Sequence, residues 1–187
     1  MSIIYGTRTR LRAVERGDVE KLHAWVNDPE VTEGLALYLP MSMRDEEGWF
    51  DRVANRPQPE KPLAIDCREG DGWRLIGNSG FFDLDSTARS GELGIMIGDK
   101  TFWNKGYGTE AMGLLLQHGF MTLNLNRIFL RVYVNNPRAI RSYEKAGFIL
   151  EGRLRQAVYQ HGAYSDVLIM GVLRAEWDAK KIYQKPQ

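Results

Sequence analysis

A single cysteine, Cys67, stands in a chain of 187 residues, so neither an internal disulfide nor a cysteine zinc cage can hold this protein together. It falls in an apolar run with Leu63, Ala64 and Ile65 that reads as a strand, which predicts a buried, inert thiol. An excess of one charge is also missing, because 25 Lys+Arg face 24 Asp+Glu for a formal net charge of +1. A protein that holds nucleic acid by neutralising phosphates carries a basic surplus, so nucleic acid is not an expected partner. No apolar run reaches the roughly 18 residues of a membrane span. Met1–Arg12 alternates like a strand and carries three arginines where a signal segment would be apolar, so no membrane partner and a cytoplasmic location are expected. The histidines, His23, His118 and His161, lack metal-ligand spacing, and no metal is expected. With no repeats, low-complexity stretches or long linkers, one domain over residues 1–187 is the expected organisation.

What is present begins with an uneven charge. Between Asp28 and Asp51 seven acids (Asp28, Glu30, Glu33, Asp45, Glu46, Glu47, Asp51) meet one base, Arg44. Ser42 and Asp45 match a capping box, and acids in a first helical turn suit the helix dipole. The competing reading is an electrostatic lure for a cationic substrate, with Glu30 and Glu33 as its contacts. Along the chain, Thr7–Val14 alternates as a strand, Asp18 caps a helix broken at Pro29, and Ser42 opens another that ends in the proline loop 56–62. Leu63–Cys67 and Trp73–Phe82 flank a hairpin at Glu69-Gly-Asp-Gly72, and Gly91–Ile97 makes a third strand. A helix is predicted over Thr109–Thr122, a strand over Arg127–Val134, and a helix from the Asn136 cap and Pro137 to Gly147. Phe148–Tyr159 and Tyr164–Val172 close as a hairpin, followed by a helical tail over Arg174–Lys181. Phe81, Phe82 and Trp49 read as core. The class is α+β, a mixed and mostly antiparallel sheet flanked by helices.

The most informative segment is Gly98–Thr109, which joins an apolar strand to an apolar helix through Gly106 and Gly108. Such glycines let successive N–H groups and the positive end of a helix converge on an anion. A Walker loop needs Lys-Ser/Thr after its last glycine, but Gly108 is followed by Thr109-Glu110. A dinucleotide fingerprint is literally present as Gly106-x-Gly108-x-x-Ala111. It should open the helix directly from the strand and be answered by an acid at the end of the next one, yet Gly98–Lys105 intervenes and that strand ends in Val134-Asn135-Asn136. A third reading, the pyrophosphate of coenzyme A, rests on a resemblance.

Two blocks carry a family resemblance. Trp103-Asn-Lys105-Gly106-Tyr107-Gly108 between strand and helix resembles the acyl-CoA loop of the Gcn5-related N-acetyltransferases (GNAT superfamily), Arg/Gln-x-x-Gly-x-Gly/Ala, with Trp103 departing at the first position. An aromatic there is familiar in the ribosomal-protein N-terminal acetyltransferase branch (RimJ/RimL type) and its spermidine-acetyltransferase relatives. Downstream, Asn136-Pro-Arg-Ala139-Ile140-Arg-Ser-Tyr143-Glu-Lys145-Ala-Gly147-Phe148 is similar to the family's Asn-x-x-Ala-Ile-x-x-Tyr-Glu-Lys-x-Gly-Phe. The resemblance implies a GNAT-like domain with strands splayed at the acyl-CoA site and an enzyme moving acetyl from acetyl-CoA to a primary amine by direct attack in a ternary complex. It implies that backbone from Trp103, Asn104, Lys105, Gly106, Tyr107, Gly108 and Thr109 clasps the pyrophosphate. It further implies that Ile95, Met96 and Ile97 line the pantetheine arm, that Asn136 bonds that arm, and that Arg138 meets the adenosine 3′-phosphate. Asn136 reads equally as an N-cap, and Arg138, Arg141 and Lys145 as a solvated helix face.

Tyr143 is the expected general acid, since a phenol with a reference pKa near 10 stays protonated at neutral pH and can donate to a departing thiolate. Its alternative is a core tyrosine with the hydroxyl on a carbonyl. Glu92, at the start of the central strand, is the candidate base through water. The acceptor suggested by the resemblance is a peptide or protein N-terminal α-amine, with a polyamine or other small amine as the alternative. A silent acyl-CoA sensor is the reading from a different class, and a homodimer is the assembly considered.

Overall fold

The computed structural model describes residues 3–35, 37 and 39–183. Met1 and Ser2, at the start of the expected alternating stretch, and the last residues of the expected 1–187 domain lie outside them. The chain forms β1 (Ile4–Tyr5), β2 (Thr9–Ala13), α1 (Val19–Val26), α2 (Pro29–Thr32), α3 (Met43–Ala54), β3 (Leu63–Glu69), β4 (Gly72–Asp85) and β5 (Ser90–Ile97). These are followed by α4 (Tyr107–Gln117), β6 (Arg127–Tyr133), α5 (Pro137–Ala146), β7 (Ile149–Gln160), β8 (Ala163–Leu173) and α6 (Arg174–Tyr183). The eight strands hydrogen-bond in the order β1-β2-β3-β4-β5-β6-β8-β7. The β5–β6 pair is parallel and the β1–β2, β2–β3, β3–β4, β6–β8 and β7–β8 pairs are antiparallel. This is the expected mixed α+β sheet.

Two compact units make up the chain, one running to Phe81 and including Gly94–Leu114, the other holding Phe82–Leu93 and the chain from Leu115 onward. In the first, Leu11, Ile65, Ile76 and Cys67 are fully buried, as are Leu22 and Met112. Burial pushes the Cys67 thiol above its ordinary range, as an inert core cysteine requires. Asp66, also fully buried, is held from both sides by Arg10 Nε at 2.8 Å and Arg12 Nε at 2.9 Å, leaving Oδ1 without a partner among the described residues. In the second unit Ile128, Met170, Val172 and Phe120 form the centre, with the Phe120 and Trp177 rings 5.3 Å apart.

Local signals place most element ends. Ser42 accepts from Asp45 N–H while the Asp45 carboxylate accepts from Ser42, the expected capping box at α3. Asp28 accepts from Glu30 N–H with Pro29 at the first position of α2. Elsewhere tertiary contacts override the local reading. Asp18 does not cap α1 with its side chain, because its carboxylate turns back onto Glu15 N–H and the Arg12 guanidinium. The expected Thr7–Val14 strand is shorter, Thr9–Ala13, since a turn closed by Gly6 N–H on Thr9 O takes up Thr7 and Arg8 and joins β2 to an additional strand, β1. Phe81 is buried but Phe82 is 41% exposed, because neighbours on a strand face opposite ways; the pair does not act as core together. The helix expected over Thr109–Thr122 starts earlier, at Tyr107, and finishes as a π-helical turn at His118–Thr122.

Candidate active site

In the first unit, β5 runs on through part-buried Ile95, Met96 and Ile97 into the glycine loop. The main chain here is closely seated. Gly98 and Asp99 N–H both donate to Ile76 O, and a Cβ on Gly77 would stand 2.0 Å from Met96 O. A Cβ on Gly98 would fall 2.1 Å from the Trp25 ring, so α1 and the end of β5 can approach only over a glycine. Parallel pairing of β5 with β6 includes Ser90↔Arg127 through Glu92↔Phe129, and β5 runs on to Ile97.

From Asp99 the chain makes one 3-10 turn and presents Asn104, Lys105 and Gly106 to solvent. Asn104 at φ 59° and Gly106 at φ 85° are left-handed, which turns the backbone before α4 begins at Tyr107. The first helical bond runs from Glu110 N–H to Gly106 O, so the N–H groups of Tyr107, Gly108 and Thr109 precede the helix's own acceptors. Exposed backbone, a left-handed glycine and a helix N-terminus make a seat suited to a pyrophosphate. Of Gly106 and Gly108, Gly106 is the one that needs its conformational freedom, because Gly108 is an ordinary helical residue.

The loop is braced from several directions that the sequence did not reveal. Trp103, the departure from the family pattern, donates its indole N–H to Ile97 O at 2.6 Å. Asp99 accepts from Arg74 at 2.8 Å and from Thr101, Phe102 meets Tyr107 edge-on at 5.2 Å, and Arg8 lies 4.6 Å over the Tyr107 ring. Glu110 accepts from Arg8 N–H, Arg8 Nε, Thr9 N–H and Thr9 Oγ1. Burial works to raise its carboxyl, but those donors prevail and hold it below the usual carboxylate range. Lys100 Nζ sits 2.8 Å from Asp28 and 2.5 Å from Glu30, so two acids of the expected lure are engaged internally. Glu33 lies at the end of α2, where it caps the helix from its C-terminal side.

In the second unit, Asn136 Oδ1 accepts from Ala139 N–H at 3.1 Å and caps α5, which leaves its Nδ2 as a donor for a ligand. The helix stops at Gly147, φ 109°, whose N–H bonds Tyr143 O and Glu144 O. Tyr143 is part-buried with its ring 6.0 Å from that of Phe148. Its hydroxyl has no hydrogen-bond partner among the described residues, so the carbonyl that a structural tyrosine would use is not there. Burial pushes the phenol up to about 12, with the nearby charge of Arg138 pulling the other way. Glu92 accepts from Arg131 Nη2 at 2.6 Å. Arg141 is exposed on α5. In the first unit His23 bonds Met41 O; in the second His118 is buried, with its pKa lowered by desolvation.

Comparison with known proteins gives the family of this chain. The family model of the acetyltransferase (GNAT) domain matches residues 8–149. The protein named uncharacterized N-acetyltransferase p20, of Bacillus licheniformis, is 31% identical over 180 residues, 95% of this chain and 99% of its own length. The spermidine N(1)-acetyltransferase of Vibrio cholerae is 28% identical, covering 89% of this chain and 94% of that protein. A crystal structure of spermidine N-acetyltransferase from Vibrio cholerae in complex with CoA and spermine superposes with a TM-score of 0.83 at 27% identity, over 92% of this chain and 99% of that one. A family model over most of the chain and a relative 31% identical along nearly its whole length show the family: this chain belongs to the GNAT acetyltransferases as an acetyl-CoA-dependent N-acetyltransferase.

Proposed function

We propose that the acceptor is the α-amine of a peptide or protein N-terminus, attacked directly on the acetyl group in a ternary complex. The observation that carries this choice is Lys100, which already engages Asp28 and Glu30 and so blunts the acidic stretch as a lure for polycations. Acetyl-CoA supplies the activated thioester. The N–H groups of residues 104–109 hold its pyrophosphate, the main chain of Ile95, Met96 and Ile97 follows the pantetheine arm, Asn136 Nδ2 donates to that arm, and Arg138 serves the adenosine phosphate. Tyr143 Oη gives its proton to the departing sulfur. Glu92, oriented by Arg131, takes the amine proton through water, a modest task for an α-amine with a pKa near 8. A covalent route has no support from Cys67, which is buried with its thiol held protonated.

A polyamine acceptor is the second reading, supported by the spermidine acetyltransferases among the relatives and by Glu33, whose carboxylate Lys100 does not engage. Thiol release measured with DTNB at fixed acetyl-CoA, across N-terminal peptides, free amino acids, spermidine and spermine, tests both. Higher kcat/KM for spermidine than for every peptide overturns the first reading. We place the enzyme as one domain in the cytoplasm, where acetyl-CoA is available; among the described residues no helix is long and apolar enough to cross a membrane. Exposed Ile149, Leu150, Tyr159 and Tyr164 on β7 and β8 support a homodimer, which light scattering measures directly.

A further inference from the structure

The first position of the loop pattern is Trp103, which brings no charge to the phosphates and whose one donor is committed to Ile97 O. A cation reaches the same loop from far away in sequence. Arg8, in the turn between β1 and β2, places its guanidinium against the loop with two of its nitrogens engaged, Nε on Glu110 Oε2 at 3.0 Å and Nη1 on Lys105 O at 3.2 Å. The Tyr107 ring supports the guanidinium plane, with 4.6 Å from Arg8 Cζ to its centroid. Three such contacts fix where the last nitrogen points. Nη2 has no hydrogen-bond partner among the described residues and stands 3.2 Å from where a Cβ on Gly106 would be. It is therefore aimed over the one loop position that is left-handed, exposed and without a side chain.

We infer that Arg8 is a direct ligand of the acetyl-CoA pyrophosphate, supplying from the β1–β2 turn the charge that the loop's first residue lacks. The inference rests on the proposal that this loop holds the pyrophosphate. Glu110 engages the guanidinium through Nε alone and accepts three neutral donors besides, Arg8 N–H at 2.7 Å, Thr9 N–H at 3.0 Å and Thr9 Oγ1 at 3.1 Å, so Nη2 keeps its hydrogens for an incoming oxygen. The Arg8 side chain is 48% exposed, so an incoming anion can reach it. The turn is shaped around this arrangement, since a Cβ on Gly6 would stand 2.9 Å from Glu110 Oε1. Arginine suits the role better than lysine, because its planar fork can brace the loop with two nitrogens while presenting a third to a phosphate oxygen.

Calorimetry with Arg8→Gln and Arg8→Lys separates an anion ligand from a mere brace. CoA and dephospho-CoA both carry the pyrophosphate, dephospho-CoA lacks the 3′-phosphate, and pantetheine, measured by displacement, carries no phosphate. Arg8→Gln should weaken CoA and dephospho-CoA alike by roughly tenfold while leaving pantetheine unchanged, and Arg8→Lys should fall between wild type and Arg8→Gln. A melting curve confirms that each variant is folded. Equal losses for all three ligands, or no loss for any, would reduce Arg8 to a brace and overturn the inference. A loss for CoA that vanishes for dephospho-CoA would overturn it too, by moving the contact to the 3′-phosphate. Wild-type protein that binds none of the three is a separate failure, of the acetyl-CoA reading itself.

Discussion

Replacing Tyr143 by Phe removes one oxygen, and the structure sets very different scales for its effects on stability and on catalysis. The hydroxyl has no hydrogen-bond partner among the described residues, so no internal bond is lost and the ring keeps its contact with Phe148. The cost to stability should be below about 0.5 kcal/mol, the range of an innocuous substitution. The cost to catalysis should be far larger. A positioned general acid contributes about 10²–10⁴ in rate, or about 2.7–5.4 kcal/mol of barrier, and kcat should fall by that factor while acetyl-CoA affinity holds. A phenol pushed up to about 12 is a weak acid, but the desolvation that raises it also raises the proton affinity of a thiolate leaving beside it, so donor and acceptor shift together. With the folded value above the ordinary 10, Tyr143 stays protonated throughout the working range and adds no limb to the pH–rate profile below about pH 10. Linkage has the same sign: stability tied to the neutral phenol is complete below about pH 10 and is lost as pH rises through about 12, a loss that Tyr143→Phe should remove. The assay is kcat at saturating acetyl-CoA with an amine shown to be a substrate, beside melting curves at pH 7 and pH 11 on the same preparation. Near-wild-type turnover in a stable variant would refute the reasoning and leave water to protonate the leaving group.

The loop glycines should part company: Gly106→Ala costs about 1–2 kcal/mol for a side chain at φ 85° and weakens CoA in calorimetry, whereas Gly108→Ala, at a helical position, folds with an unchanged melting temperature. Lys100→Ala frees Asp28 and Glu30, so kcat/KM for spermidine should rise severalfold while that for a neutral-tailed amine barely moves; equal changes would show that the acidic stretch does not meet the acceptor. Asp66→Ala takes from Arg10 its carboxylate partner and leaves Arg12 with the Asp18 carboxylate, and should cost about 3 kcal/mol in urea unfolding, a loss that a double replacement with Arg10→Met would partly restore.

Much of this protein is written in short stretches of its sequence. Ser42 with Asp45, Asn136 with Pro137, and Gly147 set helix ends through bonds that reach no further than a few residues, so their chemistry can be read without knowing the fold. The strand, glycine loop and helix around Gly106 are local in the same way, and they sufficed to separate coenzyme A from a triphosphate or a dinucleotide. What braces that loop is not local. Arg8 and Glu110 lie 102 residues apart and Lys100 and Glu30 lie 70 apart, and neither pair has any mark in spacing or periodicity. Their meeting depends on a glycine turn that brings β2 back across α4 and on where a loop crosses the end of α1. Asp18 and Phe82 show the same limit from the other side, since each follows a sound local rule and is redirected by a neighbour or a sheet face that only folding supplies. Local hydrogen bonding thus determined the elements and the chemistry of the anion seat, while the register of distant strands decided which charges surround it.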